Sequence, residues 1–261
     1  MDFSFTEEQR MWKDVVHNFM DNEFGRELTL KHDQSREFPE ELYRKMAKEG
    51  WLGLLIPEDQ GGLGMDKDPV MFAIFCEAIG KLSLDTAACI MTSMFTATNV
   101  AKHGTAEQRK RYLEPFLAGE AKFSISISEP QSGSDAAGAR STAKHVGDEW
   151  AVKGSKVWCS GAHHPNTCIA MMLRTGEGRY DFSVLLVPND TPGLEIQKMD
   201  TPRCVHFRIA VSRIGAQHRV YSTSTFAIRR SVRGLWLRFC DPYCALSARL
   251  GQSTFPHESV S

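Results

Sequence analysis

The sequence lacks any long uninterrupted run of apolar residues, although 42% of its 261 residues are hydrophobic. A membrane-spanning helix needs about 18 or more consecutive apolar residues, so the sequence predicts no insertion into a membrane. Its N-terminus carries acidic residues where a secretory or organelle presequence would carry arginines and an apolar segment. These absences predict a cytoplasmic protein.

Paired cysteine motifs are also absent. The seven cysteines are odd in number and scattered along the chain, and two CxxC pairs do not occur. A disulfide framework or a structural zinc site would need a clustered set. We therefore expect reduced thiols and no bound metal.

The net charge of −1 conceals a break in composition. Residues 201–261 contain nine arginines, two acidic residues and no lysine, whereas lysine is common before them. Such a break is typical of a domain boundary. An arginine-rich segment could also bind nucleic acid or an anionic membrane, but its aromatic residues have no stacking period and it has no amphipathic stripe, so we expect no nucleic-acid partner.

Helical periodicity dominates residues 6 to about 120. Thr6 and Gln9 have the spacing of a capping box ahead of an apolar repeat from Met11 to Met20, which predicts an amphipathic helix with its apolar residues on one face. Pro39 and Gly50 are placed to begin and end a second helix. Further helices are predicted over 68–82, 85–103 and 105–119.

From residue 122 the apolar period changes from 3.6 to 2. The β-rich segments run over 123–128, 150–152, 156–159, 168–173, 182–187 and 194–197, and Gly, Pro, Asp or Asn bound them. Helices followed by strands indicate segregated units, and the GxGxxG pattern of a Rossmann fold does not occur.

The fold class is therefore α+β. We expect an N-terminal all-helical domain over 1–120 and a small antiparallel β-barrel-like or sandwich middle domain over 121–200. Residues 201–261 are expected to form a disordered arginine-rich tail without a domain.

The segment from Ile125 to Asp135 is the most informative part of the sequence for function. A strand ends there in Ser-Glu-Pro and continues into a turn rich in serine and glycine. Hydroxyls and free backbone N–H groups of this kind suit a flat heterocycle and a phosphate. A plain hairpin turn has the same composition, so the residues alone leave both interpretations open.

Several ordered motifs resemble the acyl-CoA dehydrogenase family. The loop from Pro57 to Gly64 is similar to the family's PEexGGxG, and 104–120 is similar to its GteeQ…yLp…Ge segment. Residues 128–138 then match its first signature. The resemblance covers residues 1 to about 200, and it departs at Ser126, Gln131–Ser132 and Cys159–Ser160.

The resemblance implies an FAD-dependent oxidoreductase of fatty acid metabolism, which oxidises the Cα–Cβ bond of acyl-CoA thioesters. A base removes the α-proton while the β-hydride passes to the flavin. It further implies an electron-transferring flavoprotein as the electron acceptor and a homotetramer as the family assembly.

The same resemblance assigns residues to the site. Ile125, Ile127 and Ser128 would line the flavin, Trp158 would flank its ring and Ser160 would hydrogen-bond near N5. Ser134 would contact the acyl-CoA and belongs to both the cofactor and the substrate sites.

Nothing after residue 200 resembles the family's C-terminal helical domain, which supplies the catalytic Glu and the tetramer core. We therefore expect no catalytic residue in this chain, a truncated form and no tetramer. We hypothesise that a one- or two-base insertion or deletion near codon 201 shifted the reading frame. The alternative to an enzyme is a fragment that binds FAD or acyl-CoA without catalysis.

Overall fold

The computed structural model describes residues 4–35, 37–146, 149–199, 206–211 and 220–221. The predicted separation of helices and strands is confirmed within these residues. Most of the arginine-rich segment, and with it most of the predicted tail, lies outside the described residues.

The helices occupy the first half of the chain. They are α1 (Glu7–Glu23), α2 (Arg26–Ser35), α3 (Glu40–Lys48), α4 (Pro69–Leu82), α5 (Leu84–His103), α6 (Ala106–Gln108), a π-helix (Arg109–Leu113) and α7 (Glu114–Leu117). Short 3-10 turns lie at Trp51–Gly53, Glu58–Gln60, Met65–Lys67 and Ala136–Gly138. The predicted capping box at Thr6 with Gln9 is present, and a second one forms at Thr105 with Gln108.

The buried face of α1 is narrower than its apolar repeat predicts. Val16 and Met20 are buried. Met11 and Val15, which the repeat places on the same face, are 65% and 53% exposed. The predicted amphipathic helix is confirmed, but α4 covers only part of its apolar face, through contacts such as the Trp12 Nε1 hydrogen bond to the Met71 carbonyl.

The strands are β1 (Lys122–Ser126), β2 (Thr142–Val146), β3 (Glu149–Lys156), β4 (Thr167–Arg174), β5 (Phe182–Pro188), β6 (Glu195–Met199), β7 (His206–Val211) and β8 (Val220–Tyr221). The main order is β1-β4-β2-β3-β7-β6, with β5 paired to β4 and β8 paired to β3. The sheet is mixed, whereas the sequence predicted antiparallel pairing. β1 and β2 both run parallel to β4, and such long-range pairing leaves no local sequence signal.

Two further differences concern the strand boundaries. The sheet continues past residue 200, because β7 pairs with both β6 and β3 and β8 pairs with β3. The alternation of Phe207, Ile209 and Val211 in the sequence is typical of a strand, although the many arginines nearby suggested a tail. The predicted strand over 156–159 is a loop, since β3 ends at Lys156.

One hydrophobic core joins the helices to the sheet. Residues from α1, α3, α4 and α5 pack in a single cluster with β-sheet side chains, namely Phe123, Cys168, Ala170, Val184 and Leu186. β1 therefore lies directly against the helical part of the molecule. A second, smaller cluster fills the other face of the sheet.

Candidate functional site

The open edge of β1 is the first component of the site. Among the described strands, β1 pairs with β4 alone, on one side. On its other side, Ser93 of α5 bonds both backbone groups of Phe123: its Oγ donates to the Phe123 carbonyl (2.6 Å) and accepts from the Phe123 N–H (3.0 Å). Backbone groups alternate in direction along a strand, so the N–H and carbonyl of Ile125 face this same open edge.

The loop after β3 lies along the end of β1 and runs in the opposite direction. The Ser124 hydroxyl donates to the Ser160 carbonyl (2.8 Å), and the Val157 N–H donates to the Ser128 carbonyl (2.9 Å). Between these two contacts the Cys159 thiol donates to the Ser126 hydroxyl (3.2 Å). Five of the six predicted site residues are thus brought into neighbouring segments: Ile125, Ile127, Ser128, Trp158 and Ser160.

Trp158 has an unusual backbone and an exposed ring. Its φ is +64°, in the left-handed region that bulky residues rarely adopt, and its side chain is 52% exposed. Cys159, the next residue, is buried beneath the loop. The predicted strand over 156–159 would have given Trp158 an extended backbone, but the chain leaves β3 at Lys156 and turns sharply. Strained backbone held by its surroundings is found most often at functional sites.

Ser134 lies apart from the other five residues. It is exposed in the turn between β1 and β2, next to Asp135, which forms an exposed ion pair with Arg179 at 3.3 Å. The Glu129 and Ser132 backbones bond each other at the base of this turn. The hairpin-turn interpretation of the segment is therefore also correct in part, because the structure contains such a turn directly after β1.

A buried ion pair links the two segments of the site. Lys156 Nζ lies 2.9 Å from Glu129 Oε1, and both side chains are almost fully buried. The Glu129 carboxylate also accepts hydrogen bonds from the Arg140 N–H (2.6 Å), the Ser141 N–H (2.9 Å) and Gln131 Nε2 (2.6 Å). Lys156 Nζ donates in addition to the Ile127 carbonyl at 2.9 Å.

These contacts fix the charges of the pair. Burial by itself raises the pKa of Glu129, but the hydrogen bonds from Arg140, Lys156 and Ser141 outweigh it and lower the pKa to about 2. Burial also lowers the pKa of Lys156, and Glu129 opposes that effect. Glu129 is consequently a structural carboxylate whose oxygens are fully engaged, and it is not poised to take up a proton.

The sequence analysis did not identify Ser93, Lys156 or the contact between Ser126 and Cys159. Ser93 had no distinguishing signal, because α5 contains several other residues with a side-chain hydroxyl, namely Thr86, Thr92, Thr96 and Thr98. Lys156 had none, because nothing local shows that its side chain turns into the interior. The expected thiols are confirmed for Cys76, Cys89, Cys159 and Cys168, none of which forms a disulfide within the described part of the chain.

The described residues contain neither a candidate metal cluster nor a candidate membrane-spanning helix. Within them, no group of three or more His, Cys, Asp or Glu side chains is arranged to hold a metal ion. None of the helices seen in the described parts combines the length and apolar character that crossing a membrane requires.

Comparisons with protein families match two adjoining domains. Residues 6–120 match the acyl-CoA dehydrogenase N-terminal domain, and residues 124–212 match the acyl-CoA dehydrogenase middle domain. The second match ends close to the end of β7.

Individual relatives agree with these matches. A probable acyl-CoA dehydrogenase, YngJ of Bacillus subtilis, is 34% identical over 200 residues, which make up 75% of this chain and 52% of the relative. The CarC subunit of the caffeyl-CoA reductase-Etf complex of Acetobacterium woodii is 32% identical over 160 residues, or 60% of this chain and 41% of that subunit. The chain spans about half the length of the curated relatives it matches.

The fold itself matches a solved structure. A glutaryl-CoA dehydrogenase of Mycobacterium smegmatis in complex with FADH2 superposes with a TM-score of 0.79 at 19% identity, covering 91% of this chain and 60% of that protein. At this level of identity the likeness concerns the fold alone.

Proposed function

The chain belongs to the acyl-CoA dehydrogenase family, of which it carries the N-terminal and middle domains, and from this premise we propose that its β1 edge and the loop after β3 bind FAD. The reaction served would be the α,β-dehydrogenation of an acyl-CoA thioester. FAD, when bound, supplies the acceptor for the hydride that leaves the β-carbon.

The observation that carries the proposal is the junction of the β1 edge with the loop over 157–160. A flat heterocycle needs in-plane hydrogen-bonding groups and an apolar surface against its face. The backbone N–H and carbonyl of Ile125 face the open edge, the Ser128 and Ser160 hydroxyls lie in the two adjoining segments, and the exposed Trp158 indole offers the apolar surface. The chemistry of these groups fits an isoalloxazine ring.

The electrostatics of the site support the same cofactor. A flavin gains negative charge on reduction, so hydrogen-bond donors near its ring favour the reduced form and a free carboxylate opposes it. The one carboxylate that follows β1 directly, Glu129, is neutralised by Lys156 at 2.9 Å and turned into the interior. Ile127, Ser128 and Ser160 are therefore proposed to contact the flavin through neutral groups.

Ser134 is proposed as a contact for the acyl-CoA. Its hydroxyl is exposed in the turn after Glu129, where a phosphopantetheine or pyrophosphate group could accept a hydrogen bond. It does not adjoin the other five residues, which supports a role toward the substrate more than toward the flavin ring. An electron-transferring flavoprotein is proposed as the acceptor, and the name of the CarC relative, a subunit of a complex with Etf, supports this.

A second candidate function is binding without turnover. Dehydrogenation also needs a base for the α-proton, and the Glu129 carboxylate already accepts four hydrogen bonds. The site residues above bind and orient, and Glu129 is unsuited to act as the base. This observation favours FAD or acyl-CoA binding as the contribution of these two domains.

An FAD titration of the purified chain, followed by quenching of flavin fluorescence, tests the proposal. Trp158→Leu should weaken FAD binding about three- to tenfold because the aromatic surface is lost. Trp150→Leu, a change in β3 away from the loop over 157–160, is the matched control and should bind as the wild type does. Equal affinity in both variants, or no binding by the wild type, would contradict the proposal.

Catalysis and simple binding are separated by a second step. Butyryl-CoA is added to the FAD-loaded chain under anaerobic conditions, and the absorbance near 450 nm is followed. Loss of the absorbance indicates dehydrogenation. A shifted but undiminished spectrum indicates binding without turnover.

A further inference from the structure

We infer that the buried Glu129–Lys156 pair is a positioning device that holds the end of β1 against the loop carrying Trp158. Lys156 and Glu129 are therefore positioning residues, and neither would touch the cofactor. The inference rests on the proposed function only for its consequence on FAD binding. Its structural part concerns the placement of Trp158 and can be tested without the cofactor.

Lys156 connects the end of β3 to the residues that follow β1. It is the last residue of β3, so it directly precedes the loop over 157–160. Its Nζ donates to the Ile127 carbonyl and to Glu129 Oε1, both at 2.9 Å. The ammonium group of Lys156 thus binds residues just beyond the end of β1. The loop that begins directly after Lys156 lies against those same residues.

Glu129 binds both ends of the turn that carries Ser134. Besides Lys156, its carboxylate accepts hydrogen bonds from Gln131 Nε2 and from the backbone N–H groups of Arg140 and Ser141. These donors lie at the beginning and the end of the turn that carries Ser134. The pair therefore ties three segments of the site to one point: the end of β1, the turn after it and the loop after β3.

Burial makes the loss of either charge of the Glu129–Lys156 pair costly in free energy. Both charges are almost fully buried, and each is matched by its partner and by further hydrogen bonds. Removal of one partner leaves the other charge buried without compensation, so water must enter or the segments must separate. Removal of both charges avoids that penalty, yet it also removes the tie between the segments.

The chain contains a matched control at the other end of β1. Lys122, the first residue of β1, is also buried and forms an ion pair with Glu40 of α3 at 2.9 Å. Its ammonium lies over the rings of Phe38 and Tyr43, at 5.0 and 5.3 Å from their centroids. It joins α3 to the start of β1, whereas Lys156 binds the residues beyond the end of that strand.

The experiment compares Lys156→Met with Lys122→Met in the full chain labelled with 5-fluorotryptophan. The ¹⁹F resonance of Trp158 is identified by its loss in Trp158→Phe. We expect Lys156→Met to displace or broaden this resonance, and Lys122→Met to leave it unchanged. Equilibrium dialysis with FAD should show affinity about tenfold weaker in Lys156→Met, and within about twofold of the wild type in Lys122→Met.

A double variant separates positioning from stability. Glu129→Gln with Lys156→Met removes both charges, so its unfolding midpoint should recover toward that of the wild type even if Lys156→Met alone fails to fold. The Trp158 resonance should nevertheless remain displaced, because the tie to Ile127 is absent. A wild-type Trp158 resonance in this folded double variant would overturn the inference and leave the pair a purely structural role.

FAD binding, measured by equilibrium dialysis, is judged separately from the position of the Trp158 resonance. If the wild type binds no FAD while the Trp158 resonance still moves in the Lys156 variants, the proposed function fails and the positioning role stands. If the wild type binds FAD and the Lys156 variants bind it equally well with an unmoved resonance, the positioning role fails and the proposed function stands.

Discussion

At the scale of single residues, two buried titratable groups set the response of the fold to acid. The His164 ring packs on Phe38, with centroids 4.6 Å apart, and on His163 at 4.0 Å. Burial, the neighbouring His163 and the Lys122 ammonium, itself paired with Glu40, lower the pKa of His164 from its usual 6.5 to about 3. The imidazole therefore stays neutral in the folded protein, and a free acid or base role for it is disfavoured.

The depressed pKa values predict a loss of stability in acid that begins with His164. The unfolded chain binds a proton on this imidazole near pH 6.5, whereas the folded chain binds one only near 3, so its contribution is complete above pH 6.5 and falls as the pH drops toward 3. Glu129 adds a second loss of stability as the pH falls from about 4.5 toward 2, because the unfolded chain protonates this carboxylate before the folded chain does. For each of these two groups, the free energy of unfolding falls by at most about 1.4 kcal/mol per pH unit.

Urea unfolding at several pH values measures this effect. Between pH 6.5 and 4.5, His164→Gln should flatten the fall in the free energy of unfolding, while Glu129 does not yet contribute. His145→Gln, an exposed histidine in β2, should keep the slope of the wild type. An unchanged slope in His164→Gln would show that this imidazole does not carry the acid sensitivity.

Some properties of single residues in the site were predicted from the sequence, and others were not. Five of the six site residues predicted by family resemblance lie in two neighbouring segments, and their assignment to FAD remains a prediction. The left-handed backbone of Trp158 could not be predicted, because tryptophan has no local preference for it. Likewise the inward turn of Lys156 depends on a carboxylate 27 residues away in sequence, which local patterns do not reveal.

At the scale of elements, the joint between α5 and β1 positions the candidate site. Ser93 Oγ bonds both the N–H and the carbonyl of Phe123, two residues before Ile125. It occupies the open edge of β1 next to the groups proposed to bind FAD. A hydroxyl of α5 thus pairs with two buried backbone groups of the edge strand that would otherwise have no partner.

Removal of the Ser93 hydroxyl should therefore destabilise the chain. Ser93→Ala is expected to lower the free energy of unfolding by about 1–3 kcal/mol, since two buried backbone groups lose their partner. Thr98→Val is the control in the same helix, because the Thr98 hydroxyl donates to the Met94 carbonyl one turn earlier within α5, and it should cost about 0.5 kcal/mol or less. Denaturant titration of the two variants measures the difference, and equal losses would contradict the role of Ser93.

Elements with local signals were predicted well, and those without them were not. α1, α3, α4 and α5 have caps, prolines or long apolar repeats in the sequence, and all four are confirmed. α2 is mostly polar and buries only Thr29, so it has no apolar stripe to reveal it. The parallel pairing of β1 with β4 joins segments more than 40 residues apart, and the sequence alone cannot specify such a register.

At the scale of the whole molecule, the helices and the sheet share one core, so the candidate site is built on a packed frame. The edge of β1 is held by α5 on the helical side and by the Lys156 pair on the side of the loop. The family match over 6–120 and 124–212 agrees with these two units of the fold. The frameshift hypothesis concerns codons whose products lie mostly outside the described residues, and it remains a prediction.

Hydrogen exchange of the full chain with and without FAD tests the central claim most directly. We predict slower amide exchange on FAD binding at Ile125 and in the peptide covering 157–161, with no change in β2 at 142–146, because the first two segments form the proposed site. Binding of FAD with protection confined to other segments, or exchange that FAD does not alter anywhere, would contradict the account.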